Sequence, residues 1–424
     1  MILRRLFEMT ALSELAAHPG YLLMLAVGAF LLYLGIKKQY EPLLLVPIGM
    51  GVILANLPGG TMGVVPADWV HTAFLGMDQN AIKALDPKVV AHMAEQSSYM
   101  NLFEIAHEYG IMNFLYYSLI KTGLLPPLIF MGVGALTDFG PMLRNLKLAF
   151  FGAAAQIGIF AVLFGATAVG FTPKEAGSLG IIGGADGPTA IYTTLKLAPH
   201  LLGPIAIAAY SYMALVPVII PFVVRLTCGD KELKINMKQM DKKYPPKYQI
   251  KNLKAAKIAF PIVLGIVVSI FVPSAVPLLG MLLFGNLVKE IGANTFRLFD
   301  AASNSIMNSS TIFLGLTVGA TMTSDVFLDW KTLMIVGGGF IAFSISVAGG
   351  IYAVKIYNIF SKKKINPLVG ATGLSAVPMA SRVANEIALT KDSSNHVLQY
   401  CMASNISGVI GSAVAAGVLI SFLG

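Results

Sequence analysis

Residues 180 to 191, GIIGGADGPTAI, place one carboxylate, Asp186, among glycines and a proline inside an otherwise apolar stretch. A carboxylate in a hydrocarbon environment is costly unless another group compensates its charge. The glycines allow unusual backbone dihedrals, and Pro188 can begin a helix whose first amide groups need no internal partner. The pattern therefore predicts a broken helix that presents free carbonyl groups beside one carboxylate, which is a site for a small cation.

Residues 366 to 386, NPLVGATGLSAVPMASRVANE, have the same features in the second half of the chain. Asn366 begins the stretch, Gly370 helps to form a turn, and a later proline restarts a helix. Ser375 stands at the position that matches Asp186, and the last apolar run adds Asn405. Neutral oxygens from Asn, Ser and the backbone, together with a single carboxylate, favour sodium over a divalent ion such as calcium.

Other interpretations of these residues remain open from the sequence alone. Asp186 can act as a proton carrier, or it can pair with a distant arginine. Asn405 can serve only to bond neighbouring helices. The sodium site is favoured because a GxxG turn, a polar residue and a following proline occur together in both halves.

A tyrosine and an arginine near the two stretches are candidates for chemistry. Tyr210 is typical of a membrane interface, whereas Tyr212, two residues deeper, can offer its hydroxyl to a cation or a proton relay. Arg382 follows the second stretch, where it can snorkel to the interface or pair with Glu386. In the functional interpretation, its planar guanidinium binds the carboxylate of an anionic substrate.

The composition is that of an all-α polytopic membrane protein. Of 424 residues, 56% are hydrophobic and only 12% are charged, with a mean hydropathy of +0.74. We expect about ten transmembrane helices, because ten apolar runs approach the length of a membrane span. They fall at 20–36, 42–57, 112–137, 146–170, 200–225, 257–272, 275–288, 304–322, 332–359 and 395–423.

The chain repeats itself at an offset of about 183 to 190 residues, as IFMGVGALTDF at 129–139 and IFLGLTVGATM at 312–322 illustrate. If the two glycine-rich stretches are re-entrant hairpins, the second half is an inverted copy of the first. The expected organisation is an interfacial helix at 1–19, a first repeat at 20–225 with an extramembrane insert at 58–110 and a hairpin at 172–196, a basic loop at 226–256, and a second repeat at 257–424 with a hairpin at 366–390.

The distribution of charge predicts the orientation. Arg225 and nine lysines between 231 and 257 place the basic loop in the cytoplasm. The first hairpin then enters from outside and the second from the cytoplasm, so their tips meet near the bilayer midplane. The net charge of +9 therefore indicates topology rather than binding to nucleic acid.

The segments GGADGPTAIY, AYSYMALVP and NPLVGATGLSAVPMASRVAN closely resemble the membrane-embedded beta subunit of the biotin-dependent, sodium-pumping decarboxylases. Members of that family act on oxaloacetate, methylmalonyl-CoA, glutaconyl-CoA or malonate. The resemblance covers roughly residues 20 to 424. It implies a bacterial inner-membrane subunit that removes CO2 from carboxybiotin and couples this reaction to sodium export with uptake of a proton.

The resemblance also implies roles for particular residues. Asp186 matches the essential aspartate of the family and Tyr212 its tyrosine. The matching residues of the second half are Asn366, Gly370, Ser375, Arg382 and Asn405. Implied partners are a small gamma subunit, a carboxyltransferase alpha subunit and a biotin carrier, in an oligomer with an elevator-like inverted repeat.

Two further observations concern biotin attachment and the cysteines, and one alternative function stays open. NMKQM at 236–240 puts a methionine before Lys238, but the methionine expected directly after that lysine is displaced, so we expect no biotin on this chain. Cys228 and Cys401 have no metal or disulfide spacing. The alternative function is a stand-alone secondary carrier that uses sodium to import a carboxylate, since such a carrier needs the same cation site and arginine.

Overall fold

The structure is a computed structural model that describes residues 14–15, 18–39, 42–60, 62–65, 81–82, 84–96, 100–245, 250–328, 330–376 and 378–424. Its regular structure in these ranges is helical, without a strand. The all-α class is therefore confirmed. The predicted interfacial helix at 1–19 and much of the insert at 58–110 lie outside the described residues.

The α-helices of the described residues follow in chain order. They are α1 Pro19–Ile36, α2 Pro42–Ala55, α3 Pro87–Gln96, α4 Leu102–Leu115, α5 Leu125–Leu136, α6 Gly140–Arg144, α7 Leu146–Ala155, α8 Ile157–Ala168, α9 Pro173–Gly180, α10 Gly187–Leu197, α11 Leu202–Ala214, α12 Val216–Thr227, α13 Asp230–Leu233, α14 Met237–Lys243, α15 Leu253–Phe271, α16 Val276–Ile291, α17 Phe296–Asp300, α18 Met307–Ala320, α19 Ser324–Phe327, α20 Trp330–Phe360, α21 Leu368–Ala371, α22 Met379–Lys391 and α23 Leu398–Leu423.

Six helical segments of the described chain are long and apolar enough to cross a membrane, and two interrupted pairs raise the number to eight. The six are Pro19–Ile36, Leu146–Ala168, Leu253–Phe271, Pro273–Ile291, Thr332–Phe360 and Leu398–Leu423. Two of the ten predicted apolar runs correspond to helices of only 14 residues, α2 and α18, and are not among these eight. The multi-pass class is confirmed, whereas ten spans and the inverted repeat stay predictions.

The chain forms two compact units, and the first consists of residues 1–124 and 312–329. Its helices approach at glycines: a Cβ built on Gly51 would lie 2.3 Å from the carbonyl oxygen of Leu316. A polar contact adds to this packing. The side chain of Asn56 donates to the carbonyl oxygen of Met322 and accepts from the backbone N–H of Ser324. Small residues let the backbones come close where no water competes.

The second unit consists of residues 125–311 and 330–424 and contains both interrupted stretches. Glycines again set the spacing, since a Cβ built on Gly134 of α5 would lie 1.9 Å from the carbonyl oxygen of Leu282 on α16. Beside this contact, the buried Asn286 donates to the carbonyl oxygens of Gly134 and Thr137. Helices α7, α8, α20 and α23 surround the two stretches and fix the position of their tips.

Candidate cation site

The first interrupted stretch breaks at Asp186, as its sequence predicts. Helix α9 continues as a 3-10 turn through Gly184, and Ala185 then takes a left-handed conformation with φ of 52°. Asp186 is the N-cap of α10, where its Oδ1 accepts a hydrogen bond of 3.1 Å from the backbone N–H of Thr189. The N-cap position therefore directs this carboxylate to the end of a helix, where the helix dipole is positive.

The second interrupted stretch contacts the first at its tip. Helix α21 ends at Ala371 and α22 begins at Met379, so Ser375 lies in the break between them. The backbone N–H of Ser375 donates to the carbonyl oxygen of Gly184 at 3.0 Å. The hydroxyl of Ser375 donates to Oδ2 of Asp186 at 2.7 Å. The two matching positions, 189 residues apart, thus meet in one site.

A third residue of this site, Ser412, escaped the sequence analysis. Its hydroxyl lies 2.9 Å from Oδ2 of Asp186 and 3.0 Å from the carbonyl oxygen of Val409, in the helix α23. Ser412 is fully buried. It follows Asn405 by seven residues, a spacing that puts both side chains on one face of a helix. That spacing is the signal by which sequence reasoning could have found it.

The carboxylate of Asp186 is buried without a basic partner. The side chain is 4% exposed, and its hydrogen bonds come from two hydroxyls and one backbone amide. No ion pair of the described residues includes Asp186, so the described chain supplies no arginine partner. Because a buried carboxylate is costly when its charge is unmatched, it requires a proton or a bound cation.

The described residues contain no group of three or more His, Cys, Asp or Glu side chains that could hold a metal ion. A transition metal or a calcium ion usually has several such ligands. The oxygens that hydrogen-bond to Asp186 are instead the hydroxyls of Ser375 and Ser412. This donor set, with one negative charge, suits a monovalent ion.

Asn366 lies at the start of the second stretch, but the hydrogen bonds of its side chain go to residues other than Asp186. Its side-chain amide donates to the carbonyl oxygens of Leu233 and Ile235 at 2.8 and 3.0 Å. Its Oδ1 accepts from the backbone N–H of Leu368 at 3.0 Å. Asn366 thus joins the basic loop to the second stretch, because its amide nitrogen binds the loop and its oxygen binds the stretch.

Gly370 and Asn405 shape the second stretch. A Cβ built on Gly370 would lie 2.0 Å from the carbonyl oxygen of Gly350 on α20, so only glycine fits at this contact. Asn405 on α23 donates to the carbonyl oxygens of Thr372 and Leu374, which lie within the break. Its Oδ1 is buried and has no hydrogen-bond partner. Asn405 therefore bonds neighbouring elements and still presents one free oxygen.

The two tyrosines of α11 lie in different surroundings. The hydroxyl of Tyr212 donates to the carbonyl oxygen of Val336, and its ring packs against Phe340. Tyr210 is 1% exposed, and its ring lies against Gly187, next to Asp186 in the chain. Residues two apart face different sides of a helix, and the sequence alone does not say which side meets the carboxylate.

Arg382 lies in the first turn of α22, seven residues after Ser375, with an exposed side chain. It forms no ion pair with Glu386 or with any other carboxylate of the described residues. The alternative that Arg382 is a structural partner of Glu386 has no support in these contacts. Along α22, Arg382 lies near the end that follows the tip of the second stretch. The opposite end of this helix is held by the ion pair of Lys391 with Asp230.

Fold and site together define a multi-pass membrane protein whose helices enclose an unpaired carboxylate between two broken stretches. A model of the family described as Na+-transporting oxaloacetate decarboxylase beta subunit matches residues 20–423. Methylmalonyl-CoA decarboxylase subunit beta of Propionigenium modestum is 47% identical over 408 residues, which is 96% of each chain. The oxaloacetate decarboxylase beta chain of Klebsiella pneumoniae is 44% identical over an alignment of 441 positions, which covers 99% of each chain.

The chain therefore belongs to the family of Na+-transporting decarboxylase beta subunits. It is the membrane subunit of a sodium-pumping decarboxylase complex. The family that the three sequence segments resemble is confirmed, and so is a location in the membrane. The stand-alone carboxylate carrier is disfavoured, because the related chains are named as decarboxylase subunits.

Proposed function

We propose that this chain decarboxylates carboxybiotin, which a biotin carrier presents, and that the reaction drives Na+ outward in exchange for a proton. The observation that carries the proposal is the buried carboxylate of Asp186, which has no basic partner and lies where both interrupted stretches meet. A carboxylate in this position is neutralised either by Na+ or by H+. The same group can therefore bind the exported ion and the returning proton in turn.

For the bound Na+ we propose Asp186, Ser375, Ser412 and the free Oδ1 of Asn405 as ligands. The two hydroxyls donate to Asp186 at 2.7 and 2.9 Å. When a cation enters, each hydroxyl can rotate its hydrogen away and offer an oxygen lone pair instead. Gly370 and Asn366 then act by positioning, since Gly370 lets the second stretch pack against α20 and the side chain of Asn366 joins this stretch to the basic loop.

Ion binding and chemistry are coupled if they share a mobile element. Ser375 and Arg382 both belong to the second stretch and its following helix, so displacement of Ser375 by loss of Na+ also displaces Arg382. Moving one Na+ against the membrane potential costs about 2.3 kcal/mol per 100 mV. Decarboxylation therefore has to require bound Na+. Otherwise the free energy of the reaction is released without moving the ion.

We propose that Arg382 binds the carboxylate of carboxybiotin. Its guanidinium has no partner among the described carboxylates and can hold a carboxylate by two hydrogen bonds. In the reaction, the bond between the ureido nitrogen and the carboxyl carbon breaks, CO2 leaves, and the nitrogen takes up one proton. The product is neutral at that position, so the electrostatic attraction to Arg382 disappears with the CO2.

We propose that Tyr212 acts as a proton relay, on one condition. Its hydroxyl is engaged by the carbonyl oxygen of Val336, so a relay requires this hydrogen bond to open. Of the two tyrosines, Tyr210 is the one whose ring lies against Gly187, the residue directly after Asp186.

The proposed partners are those the family resemblance implies: a gamma subunit, a carboxyltransferase alpha subunit and a biotin carrier, with several copies of this chain. The test is a reconstitution of the complete complex in vesicles. We expect CO2 release to stop without Na+ and Na+ to accumulate on the side away from the carrier. Rapid turnover without Na+ in the intact complex would contradict the coupling.

A further inference from the structure

Gln156 is a buried amide at the centre of the second unit. It stands between α7 and α8, inside the membrane-spanning segment Leu146–Ala168, and is only 6% exposed. Its Nε2 donates to the carbonyl oxygen of Gly152 and to those of Gly373 and Gly408, at 3.2, 3.2 and 3.4 Å. Gly373 precedes Ser375 by two residues, so Gln156 reaches the tip of the second stretch.

These three acceptors decide which way the amide points. If oxygen and nitrogen were exchanged, the side-chain oxygen would face three carbonyl oxygens and repel them. The nitrogen therefore takes that side, and Oε1 takes the other. This oxygen is buried and has no hydrogen-bond partner.

The unpartnered oxygen points to the first stretch. A Cβ built on Gly184 would lie 3.6 Å from Oε1 of Gln156 and 3.1 Å from Cβ of Ser412. Gln156 and Ser412 thus flank the same point, two residues before Asp186. The hydroxyl of Ser412 already contacts the Asp186 carboxylate at 2.9 Å.

We infer that Oε1 of Gln156 is a further oxygen ligand of the Na+ at Asp186, an inference that rests on the proposed function. A buried amide oxygen without a partner is costly, and a cation removes that cost. An amide oxygen is a hard, neutral ligand, so it adds coordination for Na+ without the second charge that a divalent ion requires. Through its nitrogen, the same side chain connects the ion to the tip of the second stretch at Gly373.

The chain offers a matched control in Asn286. This amide is also fully buried, donates to two backbone carbonyls on a neighbouring segment, and has an unpartnered side-chain oxygen. It contacts Gly134 and Thr137, not the Asp186 site. Gln156→Met and Asn286→Leu therefore both remove a buried amide that joins elements, and only the first removes an oxygen at the carboxylate.

The experiment measures Na+ affinity and the preference for Na+ over Li+ with the full-length chain in its complex. We expect Gln156→Met to weaken Na+ binding at least tenfold, about 1.4 kcal/mol, and to change the Na+ to Li+ ratio. We expect Asn286→Leu to leave both quantities within twofold of the wild type. Wild-type Na+ affinity in Gln156→Met, or an equal change in both variants, would overturn the inference.

A second variant serves if Gln156→Met does not fold. Gln156→Glu keeps the length of the side chain, and the new carboxyl retains one donor while it is protonated. Ionisation at higher pH adds a negative charge to the site, so Na+ affinity should rise with pH more steeply than in the wild type. An unchanged pH dependence of Na+ binding would overturn the inference.

Failure of this inference is distinguishable from failure of the proposed site. If Asp186→Asn loses Na+ binding while both Gln156 variants bind as the wild type does, only the role of Gln156 is wrong. If Asp186→Asn binds Na+ normally, the cation lies elsewhere, and both assignments are wrong.

Discussion

Ser375 donates its hydroxyl hydrogen to Asp186 across 2.7 Å, and this bond joins the broken tips of two stretches that lie 189 residues apart in the chain. A second hydroxyl, from Ser412, reaches the same carboxylate oxygen from α23. The oxygen Oδ2 of Asp186 is therefore shared by three separate elements. An ion at this oxygen would hold all three elements together.

The two serines provide the first prediction. Ser375→Ala and Ser412→Ala each remove an oxygen and a hydrogen bond to a charged group, a change of about 1.5 to 3 kcal/mol. We expect Na+ affinity to fall about tenfold or more in each variant while the complex still assembles. Ser178→Ala is the control, because Ser178 is fully buried but donates only to the carbonyl oxygen of Lys174. Equal losses of assembly and Na+ binding would favour simple helix packing.

Asn366 and Asn395 are a matched pair of side chains that bind the basic loop. Both side chains donate to the carbonyl oxygens of Leu233 and Ile235. If Asn366 positions the second stretch, Asn366→Leu and Asn395→Leu should both lower the decarboxylation rate and leave Na+ affinity within about threefold of the wild type. The measurement is Na+ dependence of CO2 release. A selective loss of Na+ affinity in Asn366→Leu would instead make Asn366 a ligand.

Arg382 is tested by single-turnover release of CO2 from carboxybiotin at saturating Na+. We expect Arg382→Ala to lose nearly all activity and Arg382→Lys to lose most of it, because an ammonium group cannot replace the planar fork. Na+ binding should persist in both variants. Glu386→Gln is the control, and it should keep most of the activity. Near-normal turnover in Arg382→Ala would make the arginine structural.

The loop between α5 and α6 predicts a dependence of stability on pH. Burial raises the pKa of Asp138, but the hydrogen bonds from Lys257 and the N–H of Gly140, with the charges of Lys257 and Lys289, lower it overall. A lowered pKa stabilises the folded state above the usual value of 3.8, and this contribution is lost as the pH falls below it. Because Asp138 is 46% exposed, we expect at most about 1 kcal/mol.

The corresponding measurement is thermal unfolding in detergent. Asp138→Asn should unfold at a lower temperature than the wild type at pH 7, and the difference should shrink at pH 3. A difference that is equal at both pH values would show that the carboxylate charge is not responsible.

The sequence predicted the part of the site that depends on local backbone chemistry. Glycines, a polar residue and a proline in both stretches were sufficient to predict the breaks at Asp186 and Ser375. The contact between the tips was expected from a different argument, the inverted repeat and the distribution of charge. The all-α membrane class followed equally from composition. These features depend on neighbours in the chain, which the sequence displays directly.

The sequence did not predict features that depend on packing between distant elements. Ser412 and Gln156 reach the site only because α23 and the α7–α8 break lie against the tips. The choice between Tyr210 and Tyr212 depends on the rotation of α11, and the partners of Asn366 come from the basic loop. Apart from the seven-residue spacing between Asn405 and Ser412 on α23, no spacing within one segment contains that information.

The central claim is that the carboxylate of Asp186 binds the transported Na+. The most direct test is equilibrium binding of radioactive Na+ to the purified complex that carries Asp186→Asn. The amide is isosteric but neutral, so the variant should fold and assemble, lose saturable Na+ binding, and lose Na+-dependent decarboxylation. Retention of wild-type Na+ affinity in the folded Asp186→Asn complex would contradict the account.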